Sequence, residues 1–500
     1  MTDLQPFTKD KNDGTNTSCA TADNWFFAEK IRVYLLRTEP EHNLLYCVTK
    51  GTPQSEITVK YEIATDNNDV AGSKEMFREG AQLNLIGCEA DQNGFILPKY
   101  VILEPDYLID ASAIAECFQD YEVSPLHYFR NRLEEKKNRS YLLLGNLANF
   151  FLDELVFADD PGEVFFEDVF LSSFKQSPFE YASCEDIRSD SDFRAFMLKA
   201  KDQFEQIRRV ILEDFPKQGI DVHHCTLEPS FFSEKFGFQG RLDLLHMPSG
   251  RAGRLPFPAY DSNKITLNHA VQATVYKMMV EGVFGKDLHR IDTAILYSAG
   301  NKPDENLRYA TESNELKKRI IHVRNQIVSI EQNIVHGDNN QVKKLFEALL
   351  QSVGTSKKIP GFYLQKIEHL RAILSQCTDL EKTWFYRYIR FISGELSLQK
   401  LGNENNESPN GLASLWNSDF DERSASLDVL FNLSIQKIDD SGNERTIIFA
   451  REKNDYGVVN FREGDICIVY PRIDANDTVL NRQILKGILV GITKEQVEVR

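Results

Sequence analysis

The sequence predicts a multidomain α/β protein. Three observations lead there: short alternating strands crowd residues 25–110, helices mix with a few apolar strands over 111–313, and 314–400 reads as helix almost throughout. A chain of 500 residues, at about 100–200 residues per domain, divides into three or four such regions.

Residues 1–24 are polar, rich in Asp, Asn, Thr and Lys, and are expected to remain a disordered lead-in. In 25–110, runs at 31–36, 44–48, 57–63, 83–87 and 100–103 alternate apolar and polar side chains, with Gly, Asn, Asp and Pro clusters between them. Five short strands at that spacing predict a small, OB-like antiparallel barrel. The pattern then changes. Ser124-Pro125 should start a helix reaching Lys137, with further helices over 141–156 and 192–215. Strands are predicted at 225–228, 240–246 and 293–297, so that 111–313 forms an α/β core.

Helical runs at 314–335, 342–352, 361–376 and 381–398 predict a stalk, and the polar stretch within 401–426 predicts a linker. Strands return at 431–435, 445–449, 465–470, 487–491 and 496–499, predicting a second small β-barrel over 427–500.

Composition narrows the function. With 42% hydrophobic and 27% charged residues the chain is ordinary for a globular protein. It has no apolar run of about 18 residues and no basic-then-apolar leader, so no membrane partner is expected and a cytoplasmic location is. Eight cysteines without a Cys-x-x-Cys pair predict reduced thiols and no zinc site, and His223-His-Cys225 reads as a strand lead-in. A net charge of −17 argues against a surface coated in nucleic acid but leaves room for a local basic groove. Arg130, Arg132, Lys136, Lys137 and Arg139 are the densest basic stretch; phosphate contact and an ordinary solvated helix face are its two readings.

The strongest local signal is Gly237-Phe-Gln-Gly-Arg-Leu-Asp243, followed by Gln272 and Tyr276. The first part reads as a strand carrying a carboxylate to its end, and the second as a helix with two polar side chains one turn apart on one face. Metal-dependent phosphodiester cleavage requires clustered carboxylates to hold Mg²⁺ and a lysine to orient water and stabilise developing charge. An Asp on one strand and Glu-x-Lys on the next provides both compactly.

The order of Leu144-Gly-Asn-Leu-Ala-Asn149, Glu228, the Gly237–Asp243 motif and the Gln272/Tyr276 pair resembles the RecB-like branch of PD-(D/E)XK nucleases. More specifically, it resembles the nuclease half of superfamily 1 helicase–nucleases that trim Okazaki-fragment flaps, and their bacterial relatives. Residues 77–87 and 103–115 are similar to the barrel that precedes that nuclease, and 461–470 to the barrel at the start of the helicase motor. The resemblance spans most of 25–500. It implies an OB-like barrel, a restriction-endonuclease-type core, a stalk and a second barrel. It also implies Mg or Mn on Asp243, with Gln272 and Tyr276 positioning the phosphate or the active strand. The implied partner is single-stranded or branched DNA in replication and repair, with a helicase motor C-terminal to this fragment.

Four departures modify that expectation. Asn149 stands where the family has a metal-ligating His, and Asp153, one turn on, is the candidate replacement alongside Glu228. The Glu-x-Lys strand is missing: anchoring on Arg251-Ala-Gly-Arg254 puts Ser249 at the Glu position and Arg251 at the Lys position. Asp261 and Lys264 lie nearby in a proline-broken segment. Cys117 fits the first ligand of the family's iron–sulfur cluster, but only Cys377 and Cys467 follow Tyr276, so no cluster is expected. No Gly-x-x-x-x-Gly-Lys-Ser/Thr occurs, so no ATP site is expected in this chain. DNA binding with weak or absent cleavage is therefore the leading expectation. The alternatives are an active nuclease rebuilt on Asp153, Glu228, Asp243 and Asp261, and a non-enzymatic scaffold.

Overall fold

Alternation in the first hundred residues resolves into β1 (Phe27–Glu39), β2 (Leu44–Thr49), β3 (Glu56–Lys60), β4 (Gln82–Ala90) and β5 (Ile96–Leu103). The structure is a computed structural model. It describes residues 27–50, 54–61, 76–247, 265–285, 291–298, 306–311, 313–351, 360–403, 411–439, 445–451 and 459–500. The predicted lead-in 1–24 lies outside them.

The five strands close into a barrel in the order β1-β2-β3-β5-β4. Closure is possible because the thirteen-residue β1 pairs along β2 with one part and along β4 with another, while Val59 and Ile96 join β3 to β5 in parallel. Every second residue faces inward. Val33, Leu45, Val59, Leu83, Leu85 and Ile102 are fully buried there. This barrel belongs to a first compact unit, 1–105, and everything that follows belongs to a second, 106–500.

The second unit opens with β6 (Ile109–Asp110), α1 (Ala111–Ala115), the hairpin β7 (Phe118–Gln119) and β8 (Glu122–Val123), and α2 (Leu126–Leu133). The predicted helix to Lys137 therefore ends early. Glu134 is extended (φ −80°, ψ 138°), because the charged run beyond it has no apolar side chain to bury against a neighbour. A helical lobe follows, with α3 (Ser140–Phe157), α4 (Phe166–Gln176), α5 (Pro178–Ala182) and α6 (Asp190–Arg209). A π-helical turn (Val210–Asp214) and α7 (Phe215–Lys217) complete the last helix. The lobe is held by rings, Phe151 meeting Phe204 edge-on with centroids 5.4 Å apart.

The predicted strand 240–246 is in fact two. β11 (Phe238–Arg241) lies between β10 (Ser230–Ser233) and β6, whereas β12 (Leu244–His246) pairs with β9 (Cys225–Leu227). The chain changes partner at Leu242 and Asp243, so Asp243 stands at a crossover and not inside a strand. α8 (Leu267–Phe284) covers one face of β10 and β11; β13 (Ala294–Leu296) pairs with β14 (Leu307–Tyr309).

The stalk consists of α9 (Asn314–His336), α10 (Asn339–Gln351), α11 (Gly361–Gln376) and α12 (Asp379–Leu401). The region predicted as a plain linker carries two short helices, α13 (Ser414–Asn417) and α14 (Phe420–Ala425), the second started by a capping box between Asp419 and Glu422. The last strands are β15 (Leu433–Asp439), β16 (Thr446–Arg451), β17 (Ile466–Val469), β18 (Leu485–Ile492) and β19 (Gln496–Val499). Among the described residues they form an open antiparallel sheet, β15-β16-β19-β18-β17, and not the predicted second barrel. Its edge strands, β15 and β17, do not pair with each other. No described helix is long and apolar enough to cross a membrane.

Candidate functional site

Both glycines of the Gly237–Asp243 motif are required by contacts. Gly237 has φ +71°, in the left-handed region where a Cβ is penalised, and its carbonyl accepts from Ile109 N at 3.0 Å. A Cβ there would stand 2.4 Å from the guanidinium of Arg324. Arg324, fully buried on α9, also donates to the Tyr107 carbonyl at 2.9 Å, so the bare glycine ties the stalk's first helix to the sheet. At Gly240 a Cβ would meet the Tyr276 ring at 3.1 Å, Ala111 Cβ at 3.3 Å and Met279 at 3.4 Å. Its absence lets α8 lie directly on β11 and brings Tyr276 alongside the strand. Gln272 Nε2 donates to the Tyr276 hydroxyl at 3.1 Å.

Asp243 and Glu228 are clasped by the backbone. Glu228 N donates to the Asp243 carbonyl and Leu242 N to the Pro229 carbonyl, both at 3.0 Å. Glu228 has φ +49°, an uncommon conformation for a residue with a side chain. Its carboxylate holds the Arg241 guanidinium at 3.0 Å. From α3, Asn149 Nδ2 reaches toward Asp243 Oδ1 at 3.5 Å, and Asp153 follows one turn on.

Electrostatics link these groups. Burial first, then Glu228 and Asp243, push the Asp153 carboxyl up to about 7, with Arg241 opposing. The Asp243 carboxyl is raised by burial and by Glu228, again against Arg241. Burial raises the Tyr276 hydroxyl, the Gln272 hydrogen bond opposes it, and Asp243 raises it further. The fold thus brings Asn149, Asp153, Glu228, Asp243, Gln272 and Tyr276 to one place. Ser249 and Arg251, the degenerate motif positions, lie outside the described residues, as do Asp261 and Lys264. Among the described residues no group of three or more His, Cys, Asp or Glu side chains is disposed to hold a metal ion.

The basic stretch is placed differently. Arg130 is buried, donates to the Tyr363 hydroxyl and, at 3.2 Å, to the Leu349 carbonyl, and faces Glu122 at 3.7 Å. Arg132 ends on buried Glu331. Both therefore brace α2 against the stalk; Arg130 is buried, whereas Arg132 keeps 32% of its side-chain surface in solvent. Lys137, Arg139 and Lys136 follow the end of α2. Arg139 pairs with Asp186 at 2.7 Å and Glu185 at 3.0 Å, and Lys137 with Glu185 at 3.7 Å. Lys136 is exposed and makes no ion pair among the described residues. His224 is held by Asp221 at 2.9 Å, ahead of β9.

Two cations at the site were not singled out by sequence reasoning. Arg241 lies two residues before Asp243, and strand alternation is a signal that would have found it. Lys486 on β18, which stands over the Phe232 ring and feels the charge of Arg241, carries no comparable signal because it comes from far along the sequence. No protein-family model matches the chain, and no curated protein matches it.

Proposed function

We propose that the chain is the nuclease half of a RecB-like helicase–nuclease, with an OB-like barrel followed by a restriction-endonuclease-type core. On this reading it binds single-stranded or branched DNA at the Asp243 site and cleaves it weakly or not at all. One observation carries the reading: Asp153 and Asn149 on α3 converge with Glu228 and Asp243, beside Gln272 and Tyr276 on α8. That is the frame in which such a nuclease would present a phosphodiester.

The donor set is of hard oxygens and suits Mg²⁺ or Mn²⁺ in chemistry. It does not suit them in position, since Glu228 is engaged by Arg241 and no three described acidic groups stand together as a cage. The rebuilt-site reading keeps one observation on its side: an Asp153 carboxyl raised to about 7 by burial and then by two neighbouring carboxylates is a site that a divalent cation would relieve.

The deciding experiment uses fluorescence anisotropy and cleavage on single-stranded and 5′-flap DNA, in Mg²⁺ or Mn²⁺. Affinity falling steeply with salt and little cleavage are expected. Salt-independent binding, or none, would sink the DNA reading in favour of a scaffold. Robust cleavage lost in Asp243→Ala, with a calorimetric Mn²⁺ site lost in the same variant, would establish the rebuilt site instead.

A further inference from the structure

One face of β10 and β11 is covered by α8; the other receives the C-terminal sheet. Ser230 pairs with Arg241 across β10 and β11, and Ile484 N donates to the Ser230 carbonyl at 3.0 Å on β10's other edge. Phe232, opposite Gln239 in the same register, is buried with Leu108, Val479 and Ile484, and Trp416 packs its ring against it. Two residues beyond Ile484, Lys486 holds its ammonium 5.1 Å from the centre of the Phe232 ring. Gln239, facing Phe232, donates to Asp110 at 2.9 Å.

Lys486 and Arg241 both keep solvent access, and Lys486 makes no ion pair among the described residues. Ser230, paired with Arg241 on one side and bonded to Ile484 on the other, places β18 beside the Arg241 end of β11; partial burial lowers the Lys486 ammonium, Asp110 raises it, and Arg241 lowers it again. Arg241 uses one terminal nitrogen on Glu228. Its charge also acts on Asp243 and Tyr276, opposing the rise of both groups.

Such a pair meets a need. Three carboxylates in a chain of net charge −17 repel a phosphate backbone, so DNA approaches Asp243 only if positive charge stands beside it. We propose that Arg241 and Lys486 form a phosphate subsite next to Asp243, the C-terminal sheet contributing the lysine, and that it holds the backbone of a nucleic-acid single strand where β11 ends. The guanidinium fork orients the phosphate while it steadies Glu228, and the ammonium adds a point charge from β18. The C-terminal sheet is then part of the DNA-binding surface. This inference rests on the DNA-binding reading above.

The test is anisotropy with labelled oligothymidylate on the full 500-residue chain over a salt series, using Lys486→Gln, Lys486→Arg and Arg241→Gln. Each Gln variant should weaken binding and make the log–log salt slope shallower by about 0.7, the value for one phosphate contact on a single strand; Lys486→Arg should keep the wild-type slope. A wild-type slope that is steep, with both Gln variants matching it, overturns the subsite alone. A flat wild-type response overturns the DNA reading itself. If Lys486 merely neutralises Asp110, adding Asp110→Asn to Lys486→Gln will restore affinity, which also overturns the subsite. Inorganic pyrophosphate, titrated by calorimetry, distinguishes the ligand source: Lys486-dependent binding tighter than that of the oligonucleotide would point to a free phosphate and against a backbone. Should Lys486→Gln fail to fold, Arg241→Gln and Lys486→Arg carry the same decision.

Discussion

Arg130 and Arg132 on one side, and Arg241 and Lys486 on the other, show how differently two sets of cations serve one chain. The first pair belongs to the densest basic stretch in the sequence, yet Arg130 ends inside the protein on Tyr363 and the Leu349 carbonyl, and Arg132, though partly exposed, is taken up by buried Glu331. The second pair comes from residues far apart in sequence and keeps solvent access beside the carboxylates. Positive charge along a chain therefore says little about charge available to a ligand. What decides is the face on which each residue falls. Leu126, Phe129 and Arg130 recur at i, i+3 and i+4 of α2 and are all buried, so Arg130 had to turn inward with its neighbours.

The sharpest way to break this comparison is Arg132→Ala. Glu331 is 1% exposed, and removing Arg132 takes away its ion-pair partner, leaving the Ser393 hydrogen bond and the Lys400 charge to oppose its burial. Loss of one member of a buried pair costs about 3–5 kcal/mol. Urea unfolding should show a loss of that size, while the folded variant keeps the wild-type salt slope for DNA. A stability change under about 0.5 kcal/mol, the ordinary range for a surface substitution, would return Arg132 to the list of ligand contacts.

A smaller effect is expected at Asp153, which tests the carboxylate side of the same surface. Its carboxyl rises from the ordinary aspartate range to about 7 in the fold, through burial and then Glu228 and Asp243. A group with a raised folded pKa keeps its proton in the native state after the unfolded chain has lost it. Its contribution is therefore fully present below the unfolded pKa and is lost as pH climbs through about 7. The melting temperature of the wild-type chain should fall between about pH 4 and 7 more steeply than that of Asp153→Asn. Parallel profiles for the two proteins would show that Asp153 does not share its environment with Glu228 and Asp243.

Much of the scaffold was legible because it follows from local periodicity. The closed barrel, α3, α8 and the four stalk helices fall where alternation or 3.6-residue spacing puts them. Even α4, which was not predicted, carries a readable pattern in Phe166, Val169, Phe170 and Ser173, all buried on one face. The failures are non-local. Alternation cannot say that β11 and β12 part at Asp243 to take different partners, nor whether β15 and β17 meet to close a barrel. The candidate site divides in the same way. Asp243, Glu228 and Asn149 follow from motif order and Asp153 from helical spacing, and the first two departures concern residues within or close to those motifs. Lys486 depends on docking of the last sheet against Phe232, which nothing local in the sequence encodes.

Lys136 offers the smallest effect and the finest discrimination, since it is the member of the basic stretch for which the two explanations differ least. It is exposed, lies beyond the end of α2 and makes no ion pair among the described residues, whereas Arg130 is buried and Arg132, though exposed, is paired with Glu331. Availability alone does not make a phosphate contact; a second cation, an anchored backbone or a nearby reacting group is also needed. Lys137 and Arg139, the nearest cations, are engaged by Glu185 and Asp186. Lys136→Gln should therefore change stability by less than about 0.5 kcal/mol and leave the salt slope for oligothymidylate at the wild-type value. A slope reduced by about 0.7, as expected for Lys486→Gln, would mean that an unpaired lysine contributes as much as one placed beside the carboxylates. Solvent access, and not position relative to Asp243, would then be what separates the two sets of cations.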